Sequence, residues 1–97
     1  MYKIIFDRKA LNFFKKLDKP VCERIGKKIE ALKENHELGI PLLGNLSGLW
    51  KLRIGDYRVI YKIFNNELVI LIIKIGHRKN VYYYGSSVYP GLNYEQL

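Results

Sequence analysis

Cysteine is all but missing from this sequence: Cys22 stands alone, so no internal disulfide can staple the chain, and a lone thiol fits a reducing compartment. Histidine is almost as scarce, with only His36 and His77, and together with one cysteine they offer no spacing of the kind a structural zinc uses. Acid is short as well. The 9 Asp and Glu against 17 Lys and Arg leave a formal net charge of +8 over 97 residues. The longest apolar run, residues 68–73, falls far below the ~20 residues of a membrane span. The opening Met1-Tyr-Lys-Ile-Ile-Phe has no signal-peptide core, so a cytoplasmic location without a membrane partner is expected. A Walker loop, a dinucleotide fingerprint and a nucleophile elbow are all lacking, which removes the phosphate-loop, Rossmann and hydrolase readings.

What is present is a globular composition, 48% hydrophobic and 13% aromatic, of a size that makes one domain over residues 1–97. A chain of this length buries roughly two-thirds of the surface its unfolded form exposes, enough for a core without metal or disulfides. The surplus of cations predicts a polyanionic or acidic partner.

The segment 2–6 is β-prone and ends at Asp7, which can cap a helix by accepting from the amides two or three positions on. Leu11, Phe14 and Leu17 then recur at helical spacing up to Asp18-Lys19-Pro20. Proline fits only the first turn of a helix, so Pro20 opens a second one. Its apolar stripe is Val21, Cys22, Ile25, Ile29 and Leu32, with Arg24, Lys27, Lys28 and Lys33 on the remaining faces. Turn-forming residues crowd 36–48 and predict an irregular connection pinned by Leu42, Leu43 and Leu46. Three β-prone runs follow, 49–54, 57–64 and 67–75, separated by Gly55-Asp56 and Asn65-Asn66, both of the two-residue hairpin kind. The expected class is α+β: a short N-terminal strand and an αα-hairpin packed on an antiparallel meander, with a short strand at 80–84 and a loosely ordered tail over 85–97.

If Gly55 and Asp56 form the whole first loop, Arg53 pairs with Arg58, Lys51 with Ile60 and Trp50 with Tyr61. Trp50, Leu52, Ile54, Tyr57, Val59 and Tyr61 then face the helices, joined by Ile70 and Ile72. The open face carries Lys51, Arg53, Arg58, Ile60 and Lys62, with Val69, Leu71, Ile73 and Ile75. Like charges directly opposite cost up to ~1 kcal/mol unless an anion lies between them, which makes the Arg53–Arg58 pair the informative feature. His77, Arg78 and Lys79 arrive near the Arg58 end, beside Tyr82, Tyr83 and Tyr84. Guanidiniums that hold a phosphate, with rings that stack on bases, suit single-stranded RNA. Cys22, Trp50 and Tyr61 are expected in the core and His36 on the surface.

The stretch Leu46-Ser-Gly-Leu-Trp-Lys-Leu-Arg-Ile-Gly-Asp-Tyr-Arg-Val-Ile-Tyr, followed by Gly76-His-Arg-Lys-Asn-Val-Tyr, resembles the RelE branch of the RelE/ParE toxin superfamily. The likeness runs from the opening of the first helix to Tyr82 and implies a RelE-like microbial RNase fold. It further implies a ribosome-dependent endoribonuclease that cuts mRNA in the ribosomal A site by attack of the 2′-hydroxyl, inhibits translation, and is neutralised in a hetero-oligomer by a RelB-like antitoxin. No cofactor and no metal are expected. Carried over by position, the catalytic set is Lys51, Arg53, Arg58, Arg78 and Tyr82; the converging cations add Lys79 to an RNA-binding set of Lys51, Arg53, Arg58, Arg78 and Lys79. Well-known relatives have lysine at the position of Arg53, and an arginine cannot readily take up a proton. The general base then falls to Lys51 or to His77, the only imidazole near the site. The apolar half of the open face, with Ile60, Leu71 and Ile73, is the expected antitoxin-binding surface. The alternative within the same superfamily is a ParE-like toxin, not a nuclease, that binds and poisons DNA gyrase.

Overall fold

The computed structural model describes residues 1–77. The expected strand at 80–84, the tail over 85–97 and the site candidates Arg78, Lys79 and Tyr82 lie outside the described residues. Strand β1 (Lys3–Phe6) leads into Asp7, whose carboxylate accepts from the Lys9 amide at 3.0 Å and starts α1 (Arg8–Lys15). Pro20 sits in the first turn of α2 (Lys19–Ala31), where its missing N–H costs nothing. The sheet continues with β2 (Ile40–Pro41), β3 (Trp50–Ile54), β4 (Tyr57–Phe64) and β5 (Val69–His77). No helix among the described residues is long and apolar enough to cross a membrane.

Both helices lie on one side of the sheet. Ala10, Ile25, Ile29 and Leu32 close onto Leu52, Ile54, Val59, Tyr61, Ile70 and Ile72, with Trp50, Phe14 and Val21 packed at the margin. The β3–β4 register is the one that a Gly55-Asp56 loop dictates, from Ile54↔Tyr57 through Arg53↔Arg58 to Trp50↔Tyr61. The loop turns through Gly55 at φ 57°, a conformation that glycine adopts without a Cβ penalty.

Four expectations need correction. The sheet is mixed rather than a plain meander, because β1 pairs in parallel with β5 and gives the order β1-β5-β4-β3-β2. The connection over 36–48 is not wholly irregular. It supplies β2, an edge strand where Pro41 is tolerated, and a 3-10 turn at Gly44–Leu46. Leu42 and Leu46 do pin it, whereas Leu43 is 83% exposed. The second hairpin loop holds four residues instead of two, with Leu68 at φ 56° and β4 and β5 meeting at Phe64↔Val69.

The fourth correction is a β-bulge. Ile60 pairs with Lys74 but Tyr61 with Ile72, so Ile73 is an extra residue in β5. Beyond it the alternation inverts, and Ile75 joins the helix-side core instead of the open face. On the open side Ile60, Leu71 and Ile73 are 3%, 1% and 3% exposed, gathered with Leu49 and flanked by Ile5, Leu42, Leu46 and Phe64. The expected exposed antitoxin surface at Ile60, Leu71 and Ile73 is therefore a second, buried core. The chain covers these side chains itself, with Leu42 and Leu46 of the 36–48 connection beside Ile5 and Phe64.

Candidate functional site

Beside this second core the open face turns cationic. Two rows cross it. Lys51, Ile60 and Lys74 are neighbours on β3, β4 and β5, and two residues along the same strands Arg53, Arg58 and Gly76 are neighbours. Among the described strand positions on this face, which also include Lys3, Ile5, Lys62, Phe64, Val69 and Leu71, none is Asp or Glu. Arg53 is exposed and Lys51 half-buried.

Arg58 is the unusual member. It is only 7% exposed, and its Nη1 donates to the carbonyl oxygens of Gly55 at 3.2 Å and Tyr57 at 3.1 Å. These bonds fold the guanidinium back over the turn. Its Nε is buried without a hydrogen-bond partner among the described residues. An unsatisfied buried donor costs ~1–3 kcal/mol, more for a charged group, so its persistence next to a second arginine calls for an explanation. Gly76 provides no side chain across from it on β5. The arrangement suits an anion that brings acceptor oxygens to Arg58 and neutralises the Arg53–Arg58 repulsion.

His77 does not join this group. It pairs with Tyr57, its ring meets the Tyr57 ring edge-on at 5.8 Å, and Tyr57 packs against the helix-side core. The bulge accounts for this: with one extra residue in β5, Ile75 and His77 turn to the helix side while Lys74 and Gly76 take the open one. The candidates Lys51, Arg53 and Arg58 are thus brought together, and His77 lies across the sheet from them. The sequence reading missed Lys74, which the same bulge moves to the open side. The available signal was the lysine itself. Strict alternation from Ile70 and Ile72 would sink its ammonium into the helix-side core, an arrangement that hydrocarbon does not tolerate.

Lys51 is held from the neighbouring strand. Ile40 pairs with it, and Gly39 lies so close that a Cβ there would stand 2.4 Å from the Lys51 carbonyl oxygen and 2.9 Å from the Tyr61 hydroxyl. That hydroxyl donates to the His36 carbonyl at 2.9 Å and accepts from the Gly39 amide at 3.0 Å. Burial pushes the Tyr61 phenol above its usual range, with the Gly39 amide pulling the other way and Glu37 adding a smaller push upward. Tyr61 is the core residue it was expected to be, with Trp50 stacked on it at 6.2 Å. His36 is half-buried, not a plain surface residue, because its ring lies 4.3 Å from that of Tyr2.

With this geometry in hand, comparison with known proteins is informative. The profile of the family described as the ParE toxin of the type II toxin–antitoxin system, parDE, matches residues 4–82. The protein named mRNA interferase toxin RelE of Escherichia coli K12 is 28% identical over 89 residues, spanning 90% of this chain and 94% of that one. The toxin–antitoxin complex RelBE2 of Mycobacterium tuberculosis contains a chain that superposes with a TM-score of 0.71 at 25% identity, covering 81% of this chain and 93% of that one. The isolated E. coli RelE toxin shares the fold with a TM-score of 0.71 at 24% identity, covering 95% of this chain and all 100% of the other.

Proposed function

The chain belongs to the family of ParE toxins of type II toxin–antitoxin systems, and from that premise we propose that it is an endoribonuclease which cleaves mRNA in the ribosomal A site and is neutralised by a RelB-like antitoxin. The observation that carries this reading is Arg58: a buried guanidinium opposite another arginine, whose Nε has no partner among the described residues, on a face whose described strand positions hold no carboxylate. In a nuclease that arrangement receives the scissile phosphate on every turnover.

Cleavage requires the 2′-oxygen to attack the adjacent phosphorus while the bond from phosphorus to the 5′-oxygen breaks. The 2′-hydroxyl loses a proton, the 5′-oxygen gains one, and a cyclic phosphate remains. Charge builds on the non-bridging oxygens in between, where Arg58 and Arg53 supply fixed positive charge that needs no reorganisation. Lys51, on the same face and anchored by β2, is the group placed to take the 2′ proton. Arg78, which follows β5 in the sequence, is assigned by resemblance to charge stabilisation, and Tyr82 by resemblance to the catalytic set. Lys79 is assigned to RNA binding because it follows Arg78 in the same run of cations. The name of the relative that spans 90% of this chain, an mRNA interferase, supports the reaction class.

The test is primer extension on a defined mRNA carried by 70S ribosomes, with wild type, Arg58→Ala and Arg78→Ala. The expected result is a set of cuts that depend on ribosomes and vanish in both variants. The family description, a ParE toxin, favours one second reading, a gyrase poison. Inhibition of gyrase supercoiling by a protein that leaves mRNA intact would establish it instead.

A further inference from the structure

The bulge in β5 has a cost and a consequence. It interrupts a ladder that otherwise runs from Phe64↔Val69 to Tyr57↔His77, and it leaves Ile73 and Lys74 together on the open side. Bulges recur next to active sites, where they re-aim a side chain. Here the re-aimed side chain is Lys74. Ile60 separates it from Lys51 across three strands, which at ~4.8 Å per strand sets the two backbones about 10 Å apart. It is also the diagonal neighbour of Arg58, whose direct partner is Gly76, at a separation of roughly 7–8 Å that a lysine side chain spans. With Gly76 bare of a side chain, Lys74 is the next group on β5 that can reach an anion seated at Arg58. A lysine ammonium is a compact point charge without the planar fork of an arginine, which suits it to a phosphate rather than to a base edge.

We propose, resting on the RNA-cleavage reading above, that Lys74 is a further RNA-contacting residue, carried to the site by the bulge at Ile73, whose ammonium holds a backbone phosphate of single-stranded RNA beside the one received by Arg58. Each phosphate neutralised on a single strand releases counterions and adds about 0.7 to the slope of log affinity against log salt. A lysine with a purely structural task leaves that slope unchanged.

The experiment measures binding of the full chain to a labelled oligouridylate by anisotropy across a salt series. The proteins are wild type, Lys74→Ala, Lys74→Arg and, as a control with equal charge loss on the helix face, Lys28→Ala, whose lysine is exposed on α2. Lys74→Ala is expected to lower the slope by about 0.7, so that its deficit shrinks by about 2.6-fold when salt rises fourfold. Lys74→Arg restores the slope and Lys28→Ala keeps it. A slope for Lys74→Ala equal to that of wild type overturns the proposal, and so does a wild type that binds no oligouridylate. The same proteins in the ribosome assay separate the two claims: a lowered slope with no cuts by wild type upholds the Lys74 contact and sinks the interferase reading. Cuts by wild type with an unchanged slope do the opposite.

Discussion

Arg53 and Arg58 stand directly opposite each other on β3 and β4, one exposed and one buried with an Nε that has no partner among the described residues. The folded state bears that repulsion and that lost hydrogen bond, so stability has been given up at this position. Replacing Arg58 by methionine removes a like-charge contact of up to ~1 kcal/mol and an unsatisfied donor of ~1–3 kcal/mol, against two bonds to backbone carbonyls. Arg58→Met is therefore expected to match or exceed wild type in urea denaturation while ribosome-dependent cleavage falls ~10²–10³-fold, the usual loss for one charge-stabilising donor. Intact cleavage in a destabilised Arg58→Met would make the arginine structural.

Lys51 and His77 divide in the same assay. Because His77 pairs with Tyr57 on the helix side, His77→Ala is expected to cut at a rate within about threefold of wild type with the same pH profile, while Lys51→Ala loses ~10²-fold or more, the range of a general base. Single-turnover rates over a pH series decide it. A profile flattened by His77→Ala and untouched by Lys51→Ala would hand the proton to the imidazole.

Tyr61 links stability to alkaline pH. Its phenol is held neutral by burial, its pKa raised above the ordinary value of about 10. Below that value both states keep the proton and the contribution is complete. Above it the unfolded chain releases its proton first, so stability falls as pH rises through the folded pKa. Tyr61→Phe strands the Gly39 amide and the His36 carbonyl and is expected to lose about 1–3 kcal/mol near neutrality. Its urea midpoint should nevertheless decline less steeply than that of wild type above pH ~10. Parallel declines would place the alkaline sensitivity at other tyrosines.

How much of this was legible in advance follows from how much local information each segment carries. The β3–β4 register was readable because a two-residue Gly-Asp loop admits one pairing, and with it came Lys51, Arg53 and Arg58 on one face. The caps at Asp7 and Pro20 were equally local. The bulge was legible only at Lys74, since residues 68–73 are apolar throughout and a one-residue shift leaves no trace within such a run. From that one slip came the misplacing of Ile75 and His77 and the omission of Lys74. The parallel β1–β5 pair and the strand at Ile40–Pro41 are long-range choices without a signature in their own residues. The error over Ile60, Leu71 and Ile73 followed from that, because the cover these residues receive from Leu42 and Leu46 depends on where the 36–48 connection lies.

That connection also offers a way to move the site without touching a charge. A methyl group at Gly39 would meet the Lys51 carbonyl oxygen at 2.4 Å, and a strand oxygen cannot step aside as the end of a flexible side chain can. Gly39→Ala must push β2 away from β3 or shift Lys51 itself, at about 1–3 kcal/mol for an overpacked contact. In a domain of this size each kcal/mol lowers the melting temperature by roughly 4–8 °C. The matched control is Gly26→Ala in the interior of α2, where the new Cβ makes an ordinary 3.4 Å contact with the Phe14 ring and helix propensity improves by about 0.8–1 kcal/mol. Thermal melts are expected to move in opposite directions for the two variants. Single-turnover cleavage at a temperature where both are folded should fall for Gly39→Ala alone, because only there does the substitution bear on the backbone that holds Lys51. Cleavage unchanged in a destabilised Gly39→Ala would mean that Lys51 tolerates displacement, and would count against its role in moving the 2′ proton.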